Sequence, residues 1–342
     1  MTAHSAIGAP PAVAHGGRLD AARRLYPDAP QPWIDLSTGV NPRAYPLPRL
    51  ADDVFTRLPD DDAFAALESA ARRNYSAPAG VDIVAGAGTQ AFIQLLPRVF
   101  PAKRVAALGF TYAEHAACWA ASGAKVDVVE TLDALADADV GVIVNPNNPD
   151  GRVLEAEEIL FTAKRMSQRD RLLIVDESFM DFTPERSVAP FADDPALVVL
   201  RSFGKAYGLP GLRLGFALSS RARAAKLRAA LGPWAVSGPA LAIGASALAD
   251  DSWRAGAAQA AMRDAARLDA LLTRAGFQIA GGTTLFRLAA HPHAARWFAR
   301  LAARGVLTRA FAEKPEWLRF GLPGNDAAWS RLAEVLECVD GG

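Results

Sequence analysis

Short apolar runs alternate with longer amphipathic stretches through the middle of the chain. Val81–Ala85, Arg104–Leu108, Lys125–Val129, Val140–Val144, Arg171–Val175, Leu197–Leu200 and Arg213–Leu218 are rich in Val, Ile and Leu and predict strands. Several lack clean polar–apolar alternation, as expected of parallel strands covered on both faces. Between them, Ala63–Tyr75, Thr89–Val99, Tyr112–Ser122 and Glu155–Ser167 predict helices. This order predicts an α/β fold, with a large, mostly parallel sheet and helices on both faces.

The pattern changes after Gly232-Pro233. An alanine-rich helix is predicted over Ala257–Ala275, then strands at Leu285–Leu288, Val306–Arg309 and Trp317–Phe320. Helices are expected near Ala294–Arg304 and Asp326–Leu336, completing a smaller α+β domain. The prolines of Pro27–Pro48 predict extended chain, because proline fixes its own φ and biases its predecessor away from helix. The expected division is an N-terminal arm over 1–50 that packs with the small domain at the substrate site, a large domain over 51–232 and a small domain over 233–342.

Composition narrows the choice of function. The chain has 342 residues, 51% hydrophobic and 22% charged, which excludes wholesale disorder. Lys+Arg and Asp+Glu are equal at 37 each, so there is no electrostatic footprint for nucleic acid. Cys118 and Cys338 are too few and too far apart for a disulfide framework or zinc cluster. No stretch approaches ~18 uninterrupted apolar residues, so no membrane partner is expected. Met1–Ala14 lacks a charged start and continuous apolar run, which argues against a signal peptide and for the cytoplasm.

Several segments can carry chemistry. Gly86-Ala87-Gly88-Thr89-Gln90 follows a strand and opens a helix, where backbone amides can meet an anion; a tight turn without a ligand would look the same. Asn145-Pro146-Asn147-Asn148-Pro149-Asp150-Gly151 ends another strand, as a ligand loop or a plain turn. Asp176 closes an apolar strand, either as a helix cap or as a charge aimed into a site. Lys205 sits among small and apolar residues between Ser202 and Arg213, surroundings that favour a nucleophilic amine. Arg319 lies within the apolar run Trp317–Leu322, at an edge or facing a carboxylate. His115 reads as a packing residue, Asp60-Asp61-Asp62 as a helix start, and His291-Pro292-His293 as a helix start rather than a metal pair.

Together these segments resemble the fold type I pyridoxal-phosphate enzymes of the class I/II aminotransferase family, from about His15 to the end. The resemblance implies pyridoxal 5'-phosphate as cofactor, covalently held by Lys205. It implies Asp176 at the ring nitrogen and Asn148 at the phenolic oxygen. Gly88, Thr89, Ser202 and Arg213 would hold the phosphate, and Tyr112 would stack on the ring, with Phe110 a rival. Arg319 would pair with the substrate carboxylate. A homodimer is also implied, because family sites lie at the subunit interface.

Three positions depart from the common pattern: Phe179 stands for tyrosine, Gly204 for serine or threonine, and Leu58 for tyrosine in Arg57-Leu58-Pro59-Asp60. The N-terminal His15-Gly16-Gly17 and Asp35-Leu36-Ser37-Thr38-Gly39-Val40-Asn41-Pro42 resemble the cobalamin-biosynthetic threonine-phosphate decarboxylases, relatives of histidinol-phosphate aminotransferase. That likeness implies substrate contacts at His15, Gly39, Asn41 and Arg309. It also implies decarboxylation of L-threonine O-3-phosphate to (R)-1-aminopropan-2-yl phosphate. A histidinol-phosphate-type aminotransferase is the alternative, and a non-catalytic binding protein a remote one. The likeness leaves room for a cobalamin-pathway protein as partner.

Overall fold

The computed structural model describes residues 15–337; the readings of Met1–Ala14 and Cys338 lie outside the described residues. Contacts separate two compact units. One is residues 43–259; the other joins the chain up to Pro42 with the chain from Ala260. The second division falls between Gln259 and Ala260, inside the helix Asp251–Arg274, and not at the compositional change near Gly232.

In the larger unit a seven-stranded sheet has the order Val81–Gly86, Gly215–Ser220, Leu197–Ser202, Leu172–Asp176, Val140–Val144, Arg104–Leu108, Lys125–Val129. Gly215–Ser220 runs antiparallel to both neighbours, and the remaining pairs are parallel. Val140–Val144, Leu172–Asp176 and Leu197–Ser202 are buried at every position, which explains the apolar runs that precede the polar residues closing the last two. The edge strand Lys125–Val129 is only partly covered.

The helix Thr89–Val99 buries Phe92, Ile93 and Leu96 with Val105, Val142, Ile174 and Val198. Asp60 caps the helix Asp61–Asn74 by accepting the Ala63 amide at 2.9 Å. Arg221–Leu231 and Gly238–Leu248 are further helices that the apolar pattern does not single out. One consequence of the topology positions the site. All the parallel strands end at one edge of the sheet, and the antiparallel strand begins there, with Gly215 beside Gly86 and Ser202.

The smaller unit has a four-stranded antiparallel sheet in the order Arg309–Phe311, Lys314–Gly321, Phe286–Ala290, Gln278–Thr283. Ile34–Asp35 pairs in parallel with Val306–Leu307, so the proline-rich start is extended as expected. The helices Ala294–Ala303 and Asp326–Glu337 complete this unit's core, through Phe298, Leu301, Trp329 and Leu332.

Candidate active site

The candidate residues of the larger unit lie at the carboxyl edge of its sheet, where open α/β sheets bind ligands. Gly88 joins the strand Val81–Gly86 to the helix Thr89–Val99 with φ +85°, the left-handed region that glycine adopts without cost. A β-carbon there would lie 2.6 Å from Arg213 Nη2. The Arg213 guanidinium therefore covers the helix N-terminus, and it donates to Pro210 O at 3.2 Å and Ala87 O at 3.5 Å. Amides at a helix start beneath a guanidinium form an anion cradle, which fits a phosphate at Gly88, Thr89 and Arg213.

Asp176 ends its strand almost fully buried, yet it is well supplied with donors. His115 Nε2 lies 2.9 Å from Oδ2; the Ser178 amide and hydroxyl donate to Oδ1 at 3.0 and 2.5 Å. Burial pushes this carboxyl up, but the hydrogen bonds from His115 and Ser178 outweigh it and hold the group below the ordinary aspartate range. Asp176 is thus an ionised carboxylate at the sheet edge. His115 corrects the sequence expectation: it is buried and packed, but its partner is the carboxylate itself. Tyr112 stands edge-on to His115, with centroids 6.2 Å apart, and its hydroxyl donates to Gln90 Oε1 at 3.3 Å.

The asparagine-rich loop divides its labour. Asn145 accepts the Leu154 amide at 2.8 Å and donates to Leu154 O at 3.2 Å. Asn147 accepts the Thr111 hydroxyl at 2.6 Å and donates to Phe110 O and Asp150 Oδ1. Both hold the loop together, while Asn148, which follows them, is half-buried.

Lys205 is half-buried, and its Nζ lies 5.3 Å from the centre of the Phe179 ring. Phe179 thus stands beside the lysine with a ring that carries no hydroxyl. Gly204 has a steric reason: a β-carbon there would lie 2.8 Å from Pro210 Cα. Ser202 ends the neighbouring strand and is buried. Leu58 is exposed.

Behind Asp176 and Ser202 lies a buried ionic cluster that the motifs do not announce. Arg201 donates to Glu177 Oε2 at 2.9 Å and Asp181 Oδ1 at 2.6 Å, and stacks 4.4 Å from the Tyr75 ring centre. Glu177 also accepts the Ser187 hydroxyl and the Val188 amide. Burial raises the Glu177 carboxyl, with Arg201 the chief opposing influence. The cluster ties the residue after Asp176 to the residue before Ser202, and so joins two neighbouring strand ends. The signal in the sequence is Arg201 inside an apolar strand, with Glu177 and Asp181 just beyond the end of another.

The smaller unit holds the remaining candidates. Arg309 and Arg319 are directly opposite each other across antiparallel strands, so their side chains leave the same face. Arg319 is buried, donates to Ser37 O at 2.7 Å and lies 5.0 Å from the Phe286 ring centre. Arg309 is half-buried. His15 is exposed at the start of the turn that runs into Gly16 and Gly17. Gly39 and Asn41 are buried in the segment that follows Ser37.

An amine, an ionised carboxylate, an amide-bearing loop and an anion cradle are thus gathered at one sheet edge. This set fits pyridoxal phosphate. Residues 33–336 match the family model of aminotransferase class I and II. A threonine-phosphate decarboxylase of Pseudomonas aeruginosa is 44% identical over 94% of this chain and 96% of its own. A histidinol-phosphate aminotransferase of Methylobacillus flagellatus is 30% identical over 88% of this chain and 86% of its own. The fold also matches the crystal structure of histidinol-phosphate aminotransferase from Sinorhizobium meliloti in complex with pyridoxal-5'-phosphate. That TM-score is 0.77 at 21% identity, covering 93% of this chain and 94% of the other. With residues 33–336 matched by the family model, the chain belongs to the aminotransferase class I and II family.

Proposed function

We propose that the protein is a pyridoxal-phosphate-dependent lyase that decarboxylates L-threonine O-3-phosphate to (R)-1-aminopropan-2-yl phosphate, a step of cobalamin biosynthesis. The observation that carries this reading is the 44% identity to a threonine-phosphate decarboxylase over nearly the whole of both chains, and the pair Arg309 and Arg319 on one face fits a doubly anionic substrate. Two guanidinium groups on one face can each meet an anionic group of a ligand. Threonine phosphate brings both a phosphate and a carboxylate to such a pair. The decarboxylase at 44% identity, against 30% for the aminotransferase, supports the same choice.

When bound, the cofactor supplies an aldehyde that links to an amine and a ring that withdraws electrons from a bond at the carbon bearing that amine. Lys205 provides the amine that holds it. Asp176, ionised through its hydrogen bonds, keeps a proton on the ring nitrogen. Asn148 donates to the phenolic oxygen, and Tyr112 supports the ring. Gly88, Thr89, Ser202 and Arg213 bind the cofactor phosphate. Arg319 orients the substrate carboxylate; His15 and Arg309 anchor its phosphate, with Gly39 and Asn41 bordering the substrate. Orientation decides which bond at the α-carbon is cleaved. Lys205 would return a proton to that carbon.

A homodimer is part of the proposal. Phe55, Leu58 and Trp234 are more than half exposed. The Phe55 and Trp234 segments are neighbours, because a β-carbon on Gly238 would lie 2.3 Å from Val54 O. An apolar surface of this kind suits a second copy of the chain, and sedimentation velocity distinguishes dimer from monomer. The cytoplasm is the expected location; among the described residues no helix is long and apolar enough to cross a membrane.

Steady-state rates test the substrate. The kcat/KM for threonine phosphate without any 2-oxo acid should exceed that for histidinol phosphate with 2-oxoglutarate. The reverse order would replace the lyase with the aminotransferase.

A further inference from the structure

We propose that Ser37 is a specificity-determining positioning residue, which sets the spacing between the His15–Gly17 turn and the Arg319 guanidinium. The inference rests on the reading above, in which the substrate carries a phosphate and a carboxylate.

Ser37 is 2% exposed and touches both sides. Its hydroxyl donates to Asp35 Oδ1 at 2.5 Å, and its amide donates to the same oxygen at 2.8 Å. With its proton committed to a carboxylate, the hydroxyl has only lone pairs left to offer. The Gly17 amide donates to it at 2.7 Å. A carboxylate behind a hydroxyl strengthens it as an acceptor, so this short chain is stronger than an isolated serine contact. In the other direction, the Ser37 carbonyl accepts from Arg319 Nη2 at 2.7 Å.

The rest of the segment cannot follow the turn if it moves. The Leu36 amide donates to Leu307 O at 2.7 Å, and Leu36 O accepts the Gly321 amide at 2.6 Å. Leu36 is thereby pinned between two strands of the smaller unit. Gly16 approaches so closely that a β-carbon would lie 2.4 Å from Ser37 O. At Ser37 the turn is held by one hydroxyl and one close contact.

A fixed spacing matters only to a ligand that uses both ends. Threonine phosphate must place its carboxylate at Arg319 and its phosphate toward His15 together. L-Threonine uses the carboxylate end alone. Removing the hydroxyl leaves the Ser37 carbonyl, and hence the Arg319 contact, in place, but loosens the turn.

The experiment compares wild-type holoenzyme with Ser37→Ala, Ser37→Thr and Gly16→Ala. It measures KM for threonine phosphate and the competitive inhibition constant of L-threonine. Ser37→Ala should raise the ratio of the two by about 3- to 10-fold, the span of one net hydrogen bond. Ser37→Thr keeps the hydroxyl and should restore the ratio. Gly16→Ala displaces the turn with the hydroxyl intact and should reproduce the Ser37→Ala ratio. The double variant should fall short of the product of the two single effects, because both act on one contact.

Hydrogen exchange over residues 15–17 should quicken in Ser37→Ala and not in Ser37→Thr. Equal changes for both ligands, or unchanged exchange, overturn the positioning role alone. Wild-type enzyme that turns over no threonine phosphate overturns the substrate reading, and this inference with it.

Discussion

Asp176 must stay ionised in a nearly dry environment, and His115→Phe removes one of the groups that keep it so. His115 Nε2 lies 2.9 Å from Oδ2, while Oδ1 has the two Ser178 donors. Phenylalanine fills the space but cannot donate. A hydrogen bond to a charged group contributes about 1.5–3 kcal/mol, which is roughly 10- to 100-fold in the ionisation equilibrium. The sign follows from the direction of the shift. A depressed carboxyl stabilises the native site above its unfolded pKa, and that contribution is lost as pH falls through the lower folded value. The variant raises the folded value, so loss begins at higher pH. Bound cofactor, followed by visible absorbance after dialysis between pH 7 and pH 3, should dissociate about one to two pH units higher in His115→Phe. His115→Gln retains a donor and should stay near wild type. Identical acid limbs for wild type and His115→Phe would show that the histidine does not govern Asp176.

Lys205→Ala should abolish covalent trapping of cofactor by borohydride while the fold persists; trapping that survives, located by peptide mass, would assign another lysine. Arg201→Met leaves Glu177 and Asp181 buried without their cation and should cost roughly 3–5 kcal/mol in urea unfolding, whereas replacing all three with apolar residues should recover most of that loss. Gly204→Ser forces a β-carbon against Pro210, 2.8 Å away, and should destabilise by about 1–3 kcal/mol; unchanged unfolding would show that the Pro210–Leu212 turn yields freely.

The parallel sheet was legible because its central strands are buried on both faces, and complete burial writes an unbroken apolar run such as Leu172–Val175. The helix Gly238–Leu248 was not, because small apolar residues all round it leave no 3.6-residue stripe. The strand Gln278–Thr283 was missed for a different reason: Gly281 and Gly282 read as loop, yet the strand sits at a sheet edge where glycine is tolerated. The contact division inside Asp251–Arg274 had no signal either, since a continuous helix carries no breaker at Gln259.

The same distinction holds at the site. Asp176 and Ser202 could be found because each closes a strand, and Asn148 because it lies in the Asn- and Pro-rich loop that follows one. His115 and Arg201 act on partners 61 and 24 residues away, so only folding reveals what they do. The facing of Arg309 and Arg319 was hidden as well, because it depends on the register of two antiparallel strands.

The central claim is that the carboxylate leaves and the amino group stays. L-Threonine O-3-phosphate labelled with 13C at the carboxyl and 15N at the amine, incubated with holoenzyme and 2-oxoglutarate, follows both atoms at once. Decarboxylation sends the 13C to carbon dioxide and keeps the 15N in aminopropanol phosphate, at the same rate when 2-oxoglutarate is left out. Recovery of the 15N in glutamate, with the 13C retained in a 2-oxo acid and no turnover without 2-oxoglutarate, would contradict the account.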